Sequence, residues 1–369
     1  MMKSFTPKSA LLVLLMGCMI VVIAACGDAN TDDTGNTESG SDTTDEDQSA
    51  DSADSLEFTM GHMNSPEHVQ DSMAMTPFAE EVSEKTEGRV NFEIYPGGAL
   101  GGPAETYDNI VTGGMDAGWG LQGYNSGKWE IHTAMHLPFL ANGSAADLSV
   151  VAQELYNQFP EIQEEYDETK LLWAHAADPY AIITNGTPVE SFEDVKGLKL
   201  RTPSDEAGDM IEAWGATPVS LPAPEIYDAM QKGVIDGGVL PVAALADFNI
   251  FDVVDYVTLG KFNTSLFYVM MNQDKWDQIP AEDQEIIEGM IGKPMAETAG
   301  EAFDQQREDA YNQAQEDGIE FIELEDAELQ KFKDASEVVT ENWLENMESQ
   351  GVDGQAILDK TKELIEEKQ

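Results

Sequence analysis

The chain carries only three arginines, Arg89, Arg201 and Arg307, among 71 acidic residues. Arg201 is the one whose setting points to chemistry. It ends the apolar run in "KGLKLRTPSD" (196–205). Leu198 and Leu200 alternate as in a strand, and Thr202-Pro203 stop it because proline cannot continue a ladder. Ser204 or Asp205 then suits the N-cap of a helix through "EAGDMIEAWG". Arg201 is therefore expected at the carboxyl end of a strand, beside a helix N-terminus. Ligands of open α/β sheets bind at that edge. Helix N-termini favour anions, and a guanidinium offers a planar fork matched to a carboxylate. The competing reading is an ordinary ion pair with one of the many acids.

Other constellations fail on their context. "GWGLQG" (118–123) matches G-x-G-x-x-G by letter, but "YNSGKW" follows where a dinucleotide fingerprint needs a helix. Its glycines are expected instead to let the backbone and Trp119 approach a cleft. His132 and His136 have i, i+4 spacing without the glutamate of H-E-x-x-H, which is a weak metal signal. No G-x-S-x-G elbow is present. Acidic pairs are too common here for any one to be singled out as an acid–base dyad. Neither a catalytic residue, a metal site nor a cofactor is expected.

The elements that must position Arg201 alternate in type, which reads as α/β layering. "LEFTMG" (56–61) opens the folded part, and "VNFEI" (90–94) alternates at period two as a half-buried strand does. Met75, Phe78, Ala79 and Val82 make one stripe of an amphipathic helix, and Ile226, Ala229 and Met230 begin another. From about 280 the chain reads as mostly helical, broken by the strand candidate "GIEFIEL" (318–324). With 369 residues and 41% hydrophobic content there is material for two lobes.

The formal charge of −52 disfavours nucleic acid and anionic lipid as charge-driven partners. Such a surface keeps a protein soluble, and salt screens its self-repulsion, so a halophile-like, salty setting is expected. Lys3 and Lys8 precede an apolar run from Ala10 to Ala25, as in a secretory signal. The run ends "VIAAC", which resembles a bacterial lipobox and points to lipidation of Cys26. Cys18 in "LMGC" is the rival site, and an uncleaved anchor is the rival reading. Residues 27–55 hold ten acids and no basic or large apolar residue, so they are expected to be a disordered tether.

Residues 194–238, "DVKGLKLRTPSDEAGDMIEAWGATPVSLPAPEIYDAMQKGVIDGG", resemble the signature region of TRAP (tripartite ATP-independent, dicarboxylate-type) transporter substrate-binding proteins. "FAEEVSEKTEGRVNFEIYPGGALGG" (78–102), "NIVTGGMDAGWG" (109–120) and "LPFL" (137–140) stand in register with it. The match in order and spacing runs over roughly 56–290.

The resemblance implies two α/β lobes of periplasmic-binding-protein type, joined by hinge strands, with a long C-terminal helical region. The expected division is a signal at 1–26, the tether at 27–55, and lobe I at 56–178 plus about 267–306. Lobe II then takes 179–266 plus about 307–369 with the C-terminal helices. The resemblance makes Arg201 the carboxylate partner and Tyr180 a second polar contact. Trp119 and Tyr124, taken to lie just beyond a strand, His62, Asp178 and Leu240 complete the expected ligand-binding set. Two departures stand out: Val239, Leu240 and Pro241 replace a polar stretch common in relatives, and Ala223-Pro224 stand where a phenylalanine is often found. Both tilt the expectation towards a monocarboxylate with an apolar body, with ectoine-like zwitterions, keto acids and aromatic acids still open.

The function expected is a lipid-anchored extracytoplasmic receptor, not an enzyme. It would deliver an organic acid to the small and large permease subunits of an ion-gradient-driven transporter. A receptor for an ATP-driven importer and a surface hydrolase are the rivals.

Overall fold

The structure is a computed structural model and describes residues 55–368. The leader, Cys26 and most of the acidic stretch expected as a tether lie outside the described residues. Eleven strands form two sheets among the described residues. In chain order they are β1 (Leu56–Gly61), β2 (Val90–Tyr95), β3 (Ala117–Leu121), β4 (Thr169–Ala176), β5 (Ala181–Thr184) and β6 (Lys199–Thr202). There follow β7 (Thr217–Ser220), β8 (Gly237–Leu240), β9 (Tyr256–Leu259), β10 (Leu266–Asn272) and β11 (Glu320–Glu323).

The first sheet has the order β2-β1-β3-β10-β4, with β1 parallel to β2 and β3, and β10 antiparallel to both of its neighbours. The second has the order β11-β9-β5-β8-β6-β7. In it β6, β7 and β8 run parallel, so their carboxyl ends open at one edge. This is the α/β class expected of a two-lobed binding protein.

Two short connections pass between the sheets, residues 177–180 from β4 to β5 and residues 260–265 from β9 to β10. They run side by side and are hydrogen-bonded: Ala177 N to Ser265 O at 3.1 Å, Tyr180 N to Asn263 O at 2.8 Å, and Phe262 N to Tyr180 O at 3.1 Å. Paired segments of this kind bend at few dihedrals, which is the geometry of a hinge.

The helix Lys293–Glu316 is a third link. Met295, Ala299, Ala302 and Phe303 join the larger core, and Ala310 and Ala314 join the smaller one. The smaller core lies on one face of the second sheet, because Ala181 and Ile183 enter it while Ile182 enters the larger one. The helix Asp326–Gln350 packs on the helix Asp205–Ala213. The last helix, Gly354–Glu367, packs on Ala145–Gln158, beside the first sheet rather than the second.

Local structure follows the residue pattern. Phe78, Ala79 and Val82 bury one face of the helix Thr76–Lys85, and Met75 ends the π-helical turn before it. Trp119 sits inside β3, not beyond it as expected. In "AGWGL" every residue is buried, so no alternation marks the strand.

Candidate functional site

Arg201 lies in β6 with both neighbours parallel to it, two residues before the turn that starts the helix Asp205–Ala213. Ser204 caps that helix by accepting the Ala207 N–H at 3.3 Å. The arginine is 2% exposed. Its Nε donates to the Leu221 carbonyl at 3.1 Å, and its Nη2 donates to the Tyr124 phenol oxygen at 3.2 Å. Among the described residues no acid forms an ion pair with it. Arg89, by contrast, grips Asp283 through Nη2 at 2.7 Å and Nε at 3.2 Å. An ordinary ion pair therefore does not explain Arg201. A buried cation without an acid partner is costly unless something else supplies the charge.

Arg201 lines a partly open cavity between the two sheets, with about 420 Å³ of non-atom space in it, the solvent at its mouth included. Trp119 and Leu121 of β3 and Phe267 of β10 form the wall from the first sheet. Trp119 and Phe267 stack with centroids 4.8 Å apart. Behind them the Trp119 Nε1–H donates to His175 Nε2 at 2.8 Å, which locks the indole. Burial pushes the His175 imidazole down to about 3, so the ring is neutral and able to accept that bond.

Phe303 enters from the long helix and Tyr180 from the crossing segment. The Tyr180 phenol is fully buried, and desolvation raises its pKa. Ala223, Leu240 and Pro241, at the carboxyl ends of the parallel strands, supply the wall from the second sheet. Of the two departures noted in the sequence, Leu240, Pro241 and Ala223 thus face the cavity as carbon, whereas Val239 and Pro224 do not line it. Tyr124, Met63, His68, Asp247, Ala244 and Phe248 complete the lining.

Five of the expected ligand residues, Arg201, Tyr180, Trp119, Tyr124 and Leu240, meet in this cavity. Two do not. His62 turns away from it to Asp71, with Nε2 2.9 Å from Oδ2, and Asp71 also accepts the Thr76 hydroxyl at 2.6 Å. Desolvation lowers the His62 pKa in spite of that carboxylate. Asp178 lies fully buried behind the wall and accepts the Val242 N–H at 3.1 Å. Burial pushes its carboxyl up to about 8, against the opposing pull of Arg307 and that N–H.

Sequence reasoning missed Phe267, Phe303, His68 and Asp247. The phenylalanines carry no signal apart from hydrophobicity, and Asp247 is one acid among 71.

The residues of "HTAMH" are structural. His132 contacts the Tyr166 hydroxyl at 2.6 Å and the Ala152 carbonyl at 2.9 Å. His136 Nε2 accepts the Leu266 N–H at 2.9 Å. "GWGLQG" ends inside a single 3-10 turn, Gln122–Tyr124, with no α-helix opening behind it for a phosphate to cap. Among the described residues no group of three or more His, Cys, Asp or Glu is arranged to hold a metal ion.

The lobes touch around the cavity. Tyr124 reaches across to Arg201 and to the Ala223 N–H, the latter at 2.8 Å. Ser126 bonds Asp205, and His136 Nδ1 lies 3.4 Å from Glu206. Gly123 packs so tightly on the other lobe that a Cβ there would stand 2.4 Å from the Pro203 carbonyl.

Comparison with known proteins agrees with this geometry. Three solved structures superpose with TM-score 0.80 over 85% of this chain. One is a marine metagenome TRAP solute binding protein from an unidentified microbe, described as specific for aromatic acid ligands and holding metahydroxyphenylacetate; it is 27% identical and 99% covered. Another is a TRAP solute binding protein from Rhodoferax ferrireducens T118 with copurified benzoate, 26% identical and 98% covered. The third is a TRAP periplasmic solute binding protein from Bordetella bronchiseptica with bound (R)- and (S)-mandelate, 27% identical and 99% covered. The family model for bacterial extracellular solute-binding protein, family 7, matches residues 60–346. With two lobes, a shared cavity and a match over most of its length, the chain belongs to family 7 of the bacterial extracellular solute-binding proteins, the solute receptors of TRAP transporters.

Proposed function

We propose that this receptor captures a monocarboxylate with an aromatic or otherwise apolar body and that Arg201 holds the carboxylate. The observation that carries the reading is a buried guanidinium with no acid partner among the described residues, lining a cavity walled by Trp119, Phe267 and Phe303. An organic anion supplies the missing charge, and its apolar body replaces water against the rings. Leu240, Pro241 and Ala223 offer no polar group to a hydroxyl-rich diacid. The three solved relatives hold aromatic acids, which supports the same class.

Binding is coupled to closure. The carboxylate docks on β6 of the second lobe, and the first lobe closes over it through Tyr124 and Gly123, bending the paired connections at 177–180 and 260–265. The closed form presents one continuous surface to the membrane subunits of the transporter. Lipidation of Cys26 in "VIAAC", with the acidic stretch behind it as a spacer, would keep the receptor beside that permease. The acidic surface suits a salty medium. The reading is of a receptor that binds and releases its solute, in keeping with the family to which the chain belongs.

A thermal-shift screen of the leaderless chain against benzoate, phenylacetate, mandelate, small dicarboxylates and sugar acids tests the reading. Ligand at about a hundred times its dissociation constant adds about 2.7 kcal/mol, a shift of a few degrees. A shift with the aromatic acids that disappears in Arg201→Ala is expected. A shift with dicarboxylates or sugar acids alone overturns the class of ligand.

A further inference from the structure

The cavity has a second polar pole. Asp247 ends the short helix Ala244–Asp247 after β8 and lines the cavity with its side chain 3% exposed. Its Oδ1 is buried and accepts no hydrogen bond among the described residues. The nearest basic group is His68 Nε2, 3.5 Å away, which comes from the other lobe and lines the same cavity. That distance is too long for a well-formed bond. His68 Nδ1 accepts the Gln70 backbone N–H at 3.1 Å, so the ring's single proton sits on Nε2 and faces the Asp247 oxygen. Packing holds the imidazole there, with Trp119 at 6.0 Å and Phe303 at 6.2 Å between centroids.

One cavity therefore contains a guanidinium fork and, unpaired with it, an acceptor oxygen whose lone pairs are mostly unused. An acceptor shut away from water without a donor costs free energy. A plain hydrocarbon body closing the cavity would impose that cost, whereas a body carrying a donor would remove it. We propose that Asp247, held in place by His68, is a specificity-determining group that takes a hydrogen-bond donor on the body of the bound acid, either a hydroxyl or an ammonium. It selects against acids without such a donor, and against diacids, whose second carboxylate would meet it oxygen to oxygen. The inference rests on the reading that Arg201 holds the ligand carboxylate.

Calorimetric titration of the unaltered protein with benzoate, 3-hydroxybenzoate, 3-(aminomethyl)benzoate and isophthalate tests it without a variant. Benzoate is expected to bind about tenfold or more weaker than at least one of the two donor-bearing acids, as for one hydrogen bond to a charged group. Isophthalate is expected to bind weakest. Asp247→Leu should erase the difference. Asp247→Asn keeps an acceptor without the charge, so a hydroxyl preference survives it and an ammonium preference collapses. Equal affinity for benzoate and both donor-bearing acids overturns the role of Asp247 and leaves the Arg201 reading intact. So does a preference that persists in Asp247→Leu. Unchanged binding of all these acids in Arg201→Ala, or no binding of any by the unaltered protein, overturns the reading beneath it and the inference with it.

Discussion

The Arg201 guanidinium donates to the phenol oxygen of Tyr124 at 3.2 Å, across the join between the two lobes. The same oxygen accepts the Ala223 N–H at 2.8 Å. A phenol has two acceptor lone pairs and one proton. With both lone pairs engaged by the second lobe, the Tyr124 proton is left to point elsewhere, and the cavity is what this side chain lines. Arg201 and Tyr124 thus form a pair of adjacent donors whose alignment depends on the lobes being together. Tyr124→Phe keeps the ring in the wall and removes the donor and both cross-lobe bonds. Affinity for an aromatic acid should fall about tenfold to a hundredfold, as for one or two hydrogen bonds, with little change in the unliganded unfolding temperature. Titration calorimetry on the variant decides it, and equal affinity would falsify the role.

Arg201 is fixed in plane because its Nε is committed to the Leu221 carbonyl at 3.1 Å, leaving the far end of the fork for an anion. Lysine has neither that Nε nor the fork. Arg201→Lys should therefore fail to rescue Arg201→Ala, both losing about 2–5 kcal/mol of binding. Arg201→Met should raise the melting temperature of the unliganded protein while abolishing binding, because it removes a buried cation that no acid pairs among the described residues. A lower unliganded melting temperature in Arg201→Met would show that the guanidinium serves packing more than binding.

The strand end and helix cap around Arg201 were legible because a proline stop and a cap residue coincide there, beside an arginine rare among so many acids. Elsewhere, β2 showed its alternation in "VNFEI". Trp119 was misplaced by a few residues because flanking glycines hide the strand that carries it. Phe267 and Phe303 were not legible as site residues. They reach Trp119 and His68 only because β10 returns antiparallel next to β3 and because the long helix crosses both cores, which are pairings of distant segments. His62 was drawn into the expected site by its position after β1. The π-helical turn that brings Asp71 to it leaves no mark in local spacing.

Two buried groups should make the stability of the protein depend on pH in opposite directions. Burial holds Asp178 at about 8, above its ordinary 3.8, so its contribution is complete below about pH 4 and lost as pH rises through 8. Burial holds His175 at about 3, below its ordinary 6.5, so its contribution is present above 6.5 and lost as pH falls towards 3. Asp178→Asn should be clearly more stable than the parent near pH 9 and close to it near pH 4, with part of the alkaline loss remaining because Glu165 is also pushed up to about 8. Melting temperatures across pH in about 1 M salt, which screens the surface carboxylates, measure this. A pH-independent difference between variant and parent would remove Asp178 as the cause.

Gly123 is where the backbone itself decides whether the lobes can meet. A Cβ there would stand 2.4 Å from the Pro203 carbonyl oxygen and 2.6 Å from Ser204 Cβ, and the first of these is main chain with no freedom to turn aside. Pro203 and Ser204 begin the turn that anchors Arg201 and caps its neighbouring helix, so a methyl group at Gly123 holds the first lobe away from the arginine. Each lobe's own core is untouched by that methyl. Gly123→Ala should therefore leave the unliganded melting temperature nearly unchanged and weaken ligand binding by about tenfold or more, since closure now carries a strain of order 1–3 kcal/mol. Small-angle scattering should show the liganded variant remaining more open than the liganded parent. Normal affinity with full closure would mean that the Gln122–Tyr124 turn yields instead, and that the lobes are aligned by the Tyr124 bonds and not by contact at Gly123.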